Sequence, residues 1–240
     1  GNTAIHLREP GEKEPKIWEI YVDVGASSDK EVAELGLRVG HVGVYCDGPM
    51  LMNESKLVCR ALDNRLSGFV LSEIARKLCK LKKPLAWNVM LVNAVQEEVG
   101  CIGAGMITHR LRPDAAICID VTHATDSPGL DKGKFGDIKL GGGPAVIHGT
   151  ANHPNLVARL EIVADKNKIP LQHEAAGRRT GTDTDSIYVS RNGVASALVS
   201  LPLRYMHSPV ETAALTDVEN TIKLLLKPVS YTHLRAHETK

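Results

Sequence analysis

Apolar positions along the chain change period near Cys59. Before it, Ile17 to Val24 alternates over part of its length, and Val42 to Cys46 and Met50 to Met52 are short apolar runs, all of which predict strands. Between them, Ser28-Asp29-Lys30-Glu31 has the spacing of a capping box, opening a short helix that closes at Gly36. After Cys59, the recurrence of Leu66, Val70, Ile74, Leu78 and Leu81 predicts an amphipathic helix. Leu85 to Val95 is nearly continuous apolar sequence and predicts a fully buried strand. A helix over 102–111, a strand over 115–120 and a Gly- and Pro-rich loop over 121–153 follow. The remaining pattern is a helix carrying Leu156, Leu160 and Val163, a strand over 169–172, a short helix after the polar turn Thr180 to Asp185, and a strand over 194–201. A last helix opens at the box Thr216-Asp217-Val218-Glu219 and is expected to end at 226–228.

Strands alternating with helices predict a layered α/β sheet over 58–228, preceded by a partial β-rich module over 1–57. Gly1 to Ile5 reads as the middle of a strand, with no starting Met. Residues 229–240 have no apolar period and read as a non-native tail, which removes His233 and His237 from the candidate ligands.

Composition narrows the classes. With 240 residues and 43% hydrophobic content the chain can bury a substantial core. A net charge of +1, scattered Lys and Arg and 4% aromatic residues argue against nucleic acid as a partner. No apolar run is long enough to span a bilayer, so no membrane partner is expected. Cys46, Cys59, Cys79, Cys101 and Cys118 are odd in number, far apart and without a CxxC, the usage of a reducing, cytoplasmic compartment.

The chemistry concentrates at the end of the 85–95 run, where Glu97 and Glu98 stand side by side before Gly100. Buried carboxylates persist only when paired, hydrogen-bonded or bound to metal. A solvated turn near a helix N-terminus accounts for the pair equally well. Side chains alternate along an extended backbone, so the two share one direction only if the strand has already broken. Other candidates lie where α/β sheets gather ligands, beyond strand ends: Asp120, and His207 in a Ser-Pro-flanked break. Asp63, at a helix entrance, completes a metal site's inventory, although a capping role suits it too. His123 and Asp126 read as loop-ordering residues. His109, His148, His153 and His173 have no spaced partner and read as surface or second-layer residues, with His148 or His173 able to line a pocket. Gly141-Gly142-Gly143 lacks the spacing of a phosphate loop and reads as a flexible pocket wall. No GxSxG context supports an acyl-enzyme.

Four motifs in this order, Ala61-Leu62-Asp63-Asn64-Arg65, Gln96-Glu97-Glu98-Val99-Gly100, Asp120-Val121-Thr122-His123-Ala124 and Arg204-Tyr205-Met206-His207-Ser208-Pro209-Val210-Glu211, closely resemble metallopeptidase family 42. That family comprises tetrahedral, glutamyl and deblocking aminopeptidases, some labelled endoglucanases. The resemblance covers roughly residues 1–227. It implies a layered α/β/α zinc-peptidase-like sheet with part of a small inserted β-barrel module that serves oligomer contacts. It also implies two divalent ions, zinc foremost, with cobalt or manganese possible. Asp63 would bridge them, Glu98 and His207 would bind one and Asp120 the other, while Glu97 would be the general base. Thr182 and Asp183 would line the substrate pocket. Short peptides would be the substrates, and dimers would assemble into hollow dodecamers.

The chain departs from the family at one place. Members carry an upstream His followed two residues later by Asp, and nothing before Asp63 matches it; His6 and His41 stand in the wrong contexts. The expectation is therefore a fragment of a longer product, lacking the first strands of the catalytic layer and with one metal site a ligand short. Two other readings remain: an inactive fragment or scaffold subunit, and a glycosidase using Glu97 with a second acid.

Overall fold

A computed structural model describes residues 16–82 and 84–230. The expectations for Gly1 to Ile5 and for 231–240 lie outside these residues. The chain divides into two compact units, Gly1–Cys46 and Asp47–Lys240. In the first, the described residues form a 3-10 turn, Ile17–Glu19, and helix α1, Asp29–Glu34. α1 starts as its capping residues demand: Ser28 Oγ accepts the Glu31 N–H at 3.3 Å, and Glu31 Oε2 accepts the Ser27 N–H at 2.7 Å. Gly36 takes a φ of 77° just past its end. The strands expected at Ile17 to Val24 and Val42 to Cys46 do not form. Neither segment joins a strand ladder among the described residues, and Trp18, Val22, Val42 and Val44 are exposed. Alternation makes a strand only when a neighbour supplies the ladder, so no barrel is seen among the described residues of this unit.

The second unit begins with β1 (Met50–Met52) and β2 (Lys56–Val58), an antiparallel pair, and β2 pairs in turn with β7 (Thr212–Ala214). These bonds draw 47–58 into the larger unit, so the division falls at Cys46 and not at 57. The main sheet has the order β3 (Ala115–His123), β6 (Ala195–Leu203), β4 (Ala145–Gly149), β5 (Gln172–Ala176). β3 runs parallel to β6 and β4 parallel to β5, while β4 and β6 are antiparallel.

The core follows from the alternation of β6. Ala197, Val199, Leu201 and Leu203 enter the main cluster. There they meet helix α2 (Leu62–Leu78) through Leu66, Val70 and Ile74, α5 (Pro154–Asn167) through Val157 and Leu160, and α7 (Leu215–Ser230) through Val218 and Ile222. Leu198 points the other way, into a second cluster with Ile138, Ala145 and Ile147. On that side Cys118 is hydrogen-bonded to Thr184 of helix α6 (Thr184–Ile187). A strand buried on both faces, with helices on each, makes the layered α/β/α sheet. The helix α3 spans Ile102–Leu111, as the periodicity predicts, and α4 is a single turn, Lys132–Phe135.

Several elements depart from expectation for identifiable reasons. β4 lies inside the region read as loop, because three apolar residues after Gly141-Gly142-Gly143-Pro144 are too few to show a period. That Gly run is pinned, not free: Asp217 accepts the N–H groups of Gly141 and Gly143, each at 2.8 Å. Ile169 belongs to no strand. It follows the left-handed Lys168 at the end of α5, its N–H bonds Ala164 O at 2.9 Å, and its side chain enters the core as a helix-terminating contact, which moves β5 on to Gln172. α7 continues past Pro228 to Ser230. Leu85 to Val95 is not a buried strand: Met90, Leu91 and Val95 are exposed, and it has no strand partner among the described residues.

Leu201 is fully buried at the centre of this core. Leu201→Ala should cost about 2–5 kcal/mol of stability, read as a lowered midpoint in urea unfolding followed by circular dichroism.

Candidate metal centre

The two glutamates become neighbours in space because the extended run breaks at Gln96, whose φ is 62°. A turn closes behind them: Gly100 and Cys101 donate to Glu97 O at 3.0 and 2.9 Å, Ile102 to Gln96 O at 3.2 Å, and Gly103 to Val95 O at 3.1 Å. A Cβ at Gly103 would run into the Val95 backbone, so only glycine lets α3 start this close. Asp63 lies in the first turn of α2 with non-helical φ and ψ of −81° and 104°, and the peptide bond after it is cis. Asn64 then reaches β3: its Nδ2 donates to Asp120 Oδ1 at 2.6 Å and to Ile119 O at 3.3 Å, and its Oδ1 accepts the Ser67 N–H at 3.1 Å.

Glu211 organises the opposite side. It is 2% exposed, and its two carboxylate oxygens accept the backbone N–H groups of His207, at 2.7 Å, and of Asp63, at 3.2 Å. His207, with a φ of 62°, is thereby turned toward Asp63. Its Nε2 lies 3.0 Å from Asp63 Oδ2 and 3.5 Å from Glu98 Oε2. One donor atom from each of Asp63, Glu98 and His207 falls within 4.8 Å of the others.

Further carboxylates surround this trio. Burial pushes Asp120 up to about 7, with Glu97, Asp63 and Asp183 adding to the effect and the Val121 N–H opposing it. Asp63 is raised by burial and by Glu98, against the pull of His207. Glu97 is raised by burial, then by Glu98, Asp183 and Asp63; the Cys101 thiol, 3.7 Å from its Oε1, opposes this. Burial and Glu97 push Cys101 itself up to about 12, so it is a neutral donor. Asp183 is raised by burial, and its buried Oδ1 has no hydrogen-bond partner. No lysine or arginine is among the main charges acting on these groups. Acids that raise one another's proton affinity, one with an orphaned oxygen, fit a divalent cation, and the donors are all oxygen and imidazole nitrogen.

Thr182 is buried and its hydroxyl is engaged within its own loop, 2.9 Å from Thr180 Oγ1 and 3.2 Å from Thr184 Oγ1. It orders the loop that presents Asp183. Asp126 is loop-ordering as expected, holding Arg204 through two bonds of 2.8 and 2.7 Å. Sequence reasoning missed Glu211 and Asn64 as positioning residues. Each lies inside a motif already singled out, but only the backbone path shows what its side chain grips.

An α/β/α sheet with carboxylates and an imidazole gathered beyond its strands is the build of a metallopeptidase catalytic domain. The chain belongs to the M42 glutamyl aminopeptidase family, whose model matches residues 1–224. It is 39% identical to the lysyl aminopeptidase of Pyrococcus furiosus over 97% of this chain and 68% of that protein. Among solved structures it is similar to aminopeptidase APDkam598 from the archaeon Desulfurococcus kamchatkensis, with a TM-score of 0.87, 33% identity and coverage of 96% of this chain and 63% of that one. It is also similar to the TET1 peptidase of Pyrococcus horikoshii, which can assemble into a tetrahedron or a large octahedral shell, with a TM-score of 0.73, 26% identity and coverage of 94% and 65%. The chain thus spans about two thirds of the length of these relatives.

Two outcomes test this geometry. Glu211→Gln replaces one acceptor oxygen by a donor facing a backbone N–H; zinc affinity should fall about 10- to 100-fold, as for other groups that orient ligands, with helix content unchanged by circular dichroism. For the metal-free protein the sign follows from Asp120. The fold keeps its proton up to about pH 7, whereas an unfolded chain releases it near pH ~4, so the stabilisation is complete at low pH and is lost as pH rises between these values. In chelator, the melting temperature of Asp120→Asn relative to wild type should therefore improve from pH 4 to pH 8, and a constant difference would contradict the assignment.

Proposed function

We propose that these residues form the metal centre of an aminopeptidase that removes N-terminal residues from short peptides. Asp63 would be shared between two divalent ions, Glu98 and His207 would serve one and Asp120 the other. Zinc suits these donors best, and cobalt or manganese fit them too. Metal ions held there supply Lewis-acid polarisation of the scissile carbonyl and acidify a water.

The chain's own groups divide the remaining work. Glu97 stands among the donors, its proton affinity raised by burial and by three neighbouring acids, so it is suited to accept a proton from water and return it to the leaving amine. Asp183 and Thr182 would line the substrate pocket, with the Thr182 hydroxyl bonded to Thr180 and Thr184 to order the loop. One observation carries the reading: Asp63, Glu98 and His207 converge in a ring of acids without a Lys or Arg counter-charge.

Wider properties follow from the same reading. The TET1 relative forms closed shells, which supports a homo-oligomer here. All five cysteines are free thiols, which supports a cytoplasmic setting. No described helix is long and apolar enough to cross a membrane. A second reading is a metal-binding chain without hydrolytic activity.

Release of p-nitroaniline from aminoacyl substrates separates these possibilities. Activity that disappears on chelation supports the aminopeptidase. Metal binding without turnover supports the scaffold, and turnover of a glycoside that survives chelation supports a glycosidase. Glu97→Gln should keep its metal while kcat falls about 100- to 10,000-fold. His207→Ala should lose metal by elemental analysis, and unchanged content would remove it from the ligand set.

A further inference from the structure

A second cluster of potential ligands lies on the far strands of the sheet. His148 is on β4, His173 on the edge strand β5 and Glu161 on α5. In the parallel β4–β5 ladder Val146 is opposite His173, so His148, two residues on, shares His173's face. α5 packs on β4 and carries Glu161 beside the core residue Leu160. The imidazole rings stack with centroids 5.3 Å apart and 26° between planes.

The donor atoms form a small triangle. His148 Nε2 is 3.0 Å from His173 Nδ1, and Glu161 Oε1 is 3.7 Å from the first and 3.6 Å from the second. The two longer distances exceed a hydrogen bond, so the carboxylate is aimed between the rings without bonding either. A circle through the three atoms has a radius of about 2.0 Å, which is the length of a zinc–nitrogen or zinc–oxygen bond. We infer that His148, His173 and Glu161 bind one divalent ion of the zinc class.

The donor chemistry selects the ion. Two imidazoles and one carboxylate suit zinc, nickel or copper, whereas magnesium and calcium require mostly oxygen ligands. An open cleft lined by His148, Glu161 and Asn152 gives the ion access and leaves its remaining coordination positions to water. Two hydrogen-bonded strands and a core-packed helix hold the ligands, so little reorganisation opposes binding. The bound ion ties the edge strand β5 to β4 and α5, which makes the site a fastener for that end of the sheet. None of its residues belongs to the centre at Asp63, and the inference stands apart from the aminopeptidase reading.

The test uses the whole chain with the first centre disabled by Asp120→Asn and His207→Ala, and zinc chloride as the probe. Equilibrium dialysis should find about one zinc per chain in this background. Adding His148→Gln or His173→Gln should weaken binding about 100-fold or more, and Glu161→Gln about 10-fold. Cobalt in place of zinc should give weak visible bands without the near-ultraviolet absorption of a thiolate ligand, which excludes the cysteines. Zinc should raise the melting temperature of the background protein but not of its His148→Gln form, by preferential binding to the folded state. Equal melting temperatures of the metal-free variants show that the fold is intact. Absence of bound zinc, zinc binding indifferent to both histidine substitutions, or a thiolate band overturns the assignment.

Discussion

The proposed metal centre depends on one buried carboxylate outside its candidate ligands, Glu211. Asp63 and His207 come from opposite ends of the second unit, and their side chains meet because Glu211 accepts a backbone N–H from each. The carbonyl of Glu211 also accepts the Cys59 N–H at 3.0 Å, tying the segment after β2 to the start of β7. A buried carboxylate loses little of its solvation when two N–H groups replace water, and the replacement fixes both loops at once. Side-chain ligands on left-handed or non-helical backbone need such an external hold, since nothing in the local conformation favours it.

The electrostatics of the centre point the same way. Asp63, Glu97, Asp120 and Asp183 all hold protons more tightly than free carboxylates, with burial the leading cause for each. A fold that gathers acids without a fixed cation is strained toward protonation or metal binding, and metal binding displaces protons. Under the metal-site proposal, stability of the metal-free protein would be given up at neutral pH for affinity. The Arg204–Asp126 pair nearby is a contrast: there a guanidinium compensates the acid and the result is a structural anchor.

How much of this was legible in the sequence varied with the physics involved. α3 and the core strand β6 were read almost to the residue, because long apolar periods report burial directly. β4 and β7 were not, being short strands whose identity lies in their partners. The segments Ile17 to Val24 and Leu85 to Val95 show the converse, since both carry strand-like patterns without a ladder to join among the described residues. At the centre, residue types and order pointed to Asp63, Glu98 and His207, which the fold brings together. Glu211 and Asn64 act through backbone geometry that no spacing encodes. The pairing of His148 with His173 was invisible for a related reason: strand register joins residues that lie far apart in the chain.

The adjacent glutamates show what the turn adds to the sequence. Alternation alone would set Glu97 and Glu98 on opposite faces of a strand. The left-handed Gln96 turns the chain just before the pair, and the two side chains then meet different surroundings. Glu98 is largely exposed and comes within 3.5 Å of His207, as its proposed ligand role requires. Glu97 is half-buried, accepts the neutral thiol of Cys101 and feels Asp183 as well as Glu98 and Asp63. Glu97 is thus held by burial and by its acidic neighbours above the ordinary carboxylate range, and it lies outside the trio of Asp63, Glu98 and His207, which suits the proposed role of a base beside a metal. The division of labour proposed for the pair rests on one backbone torsion at Gln96.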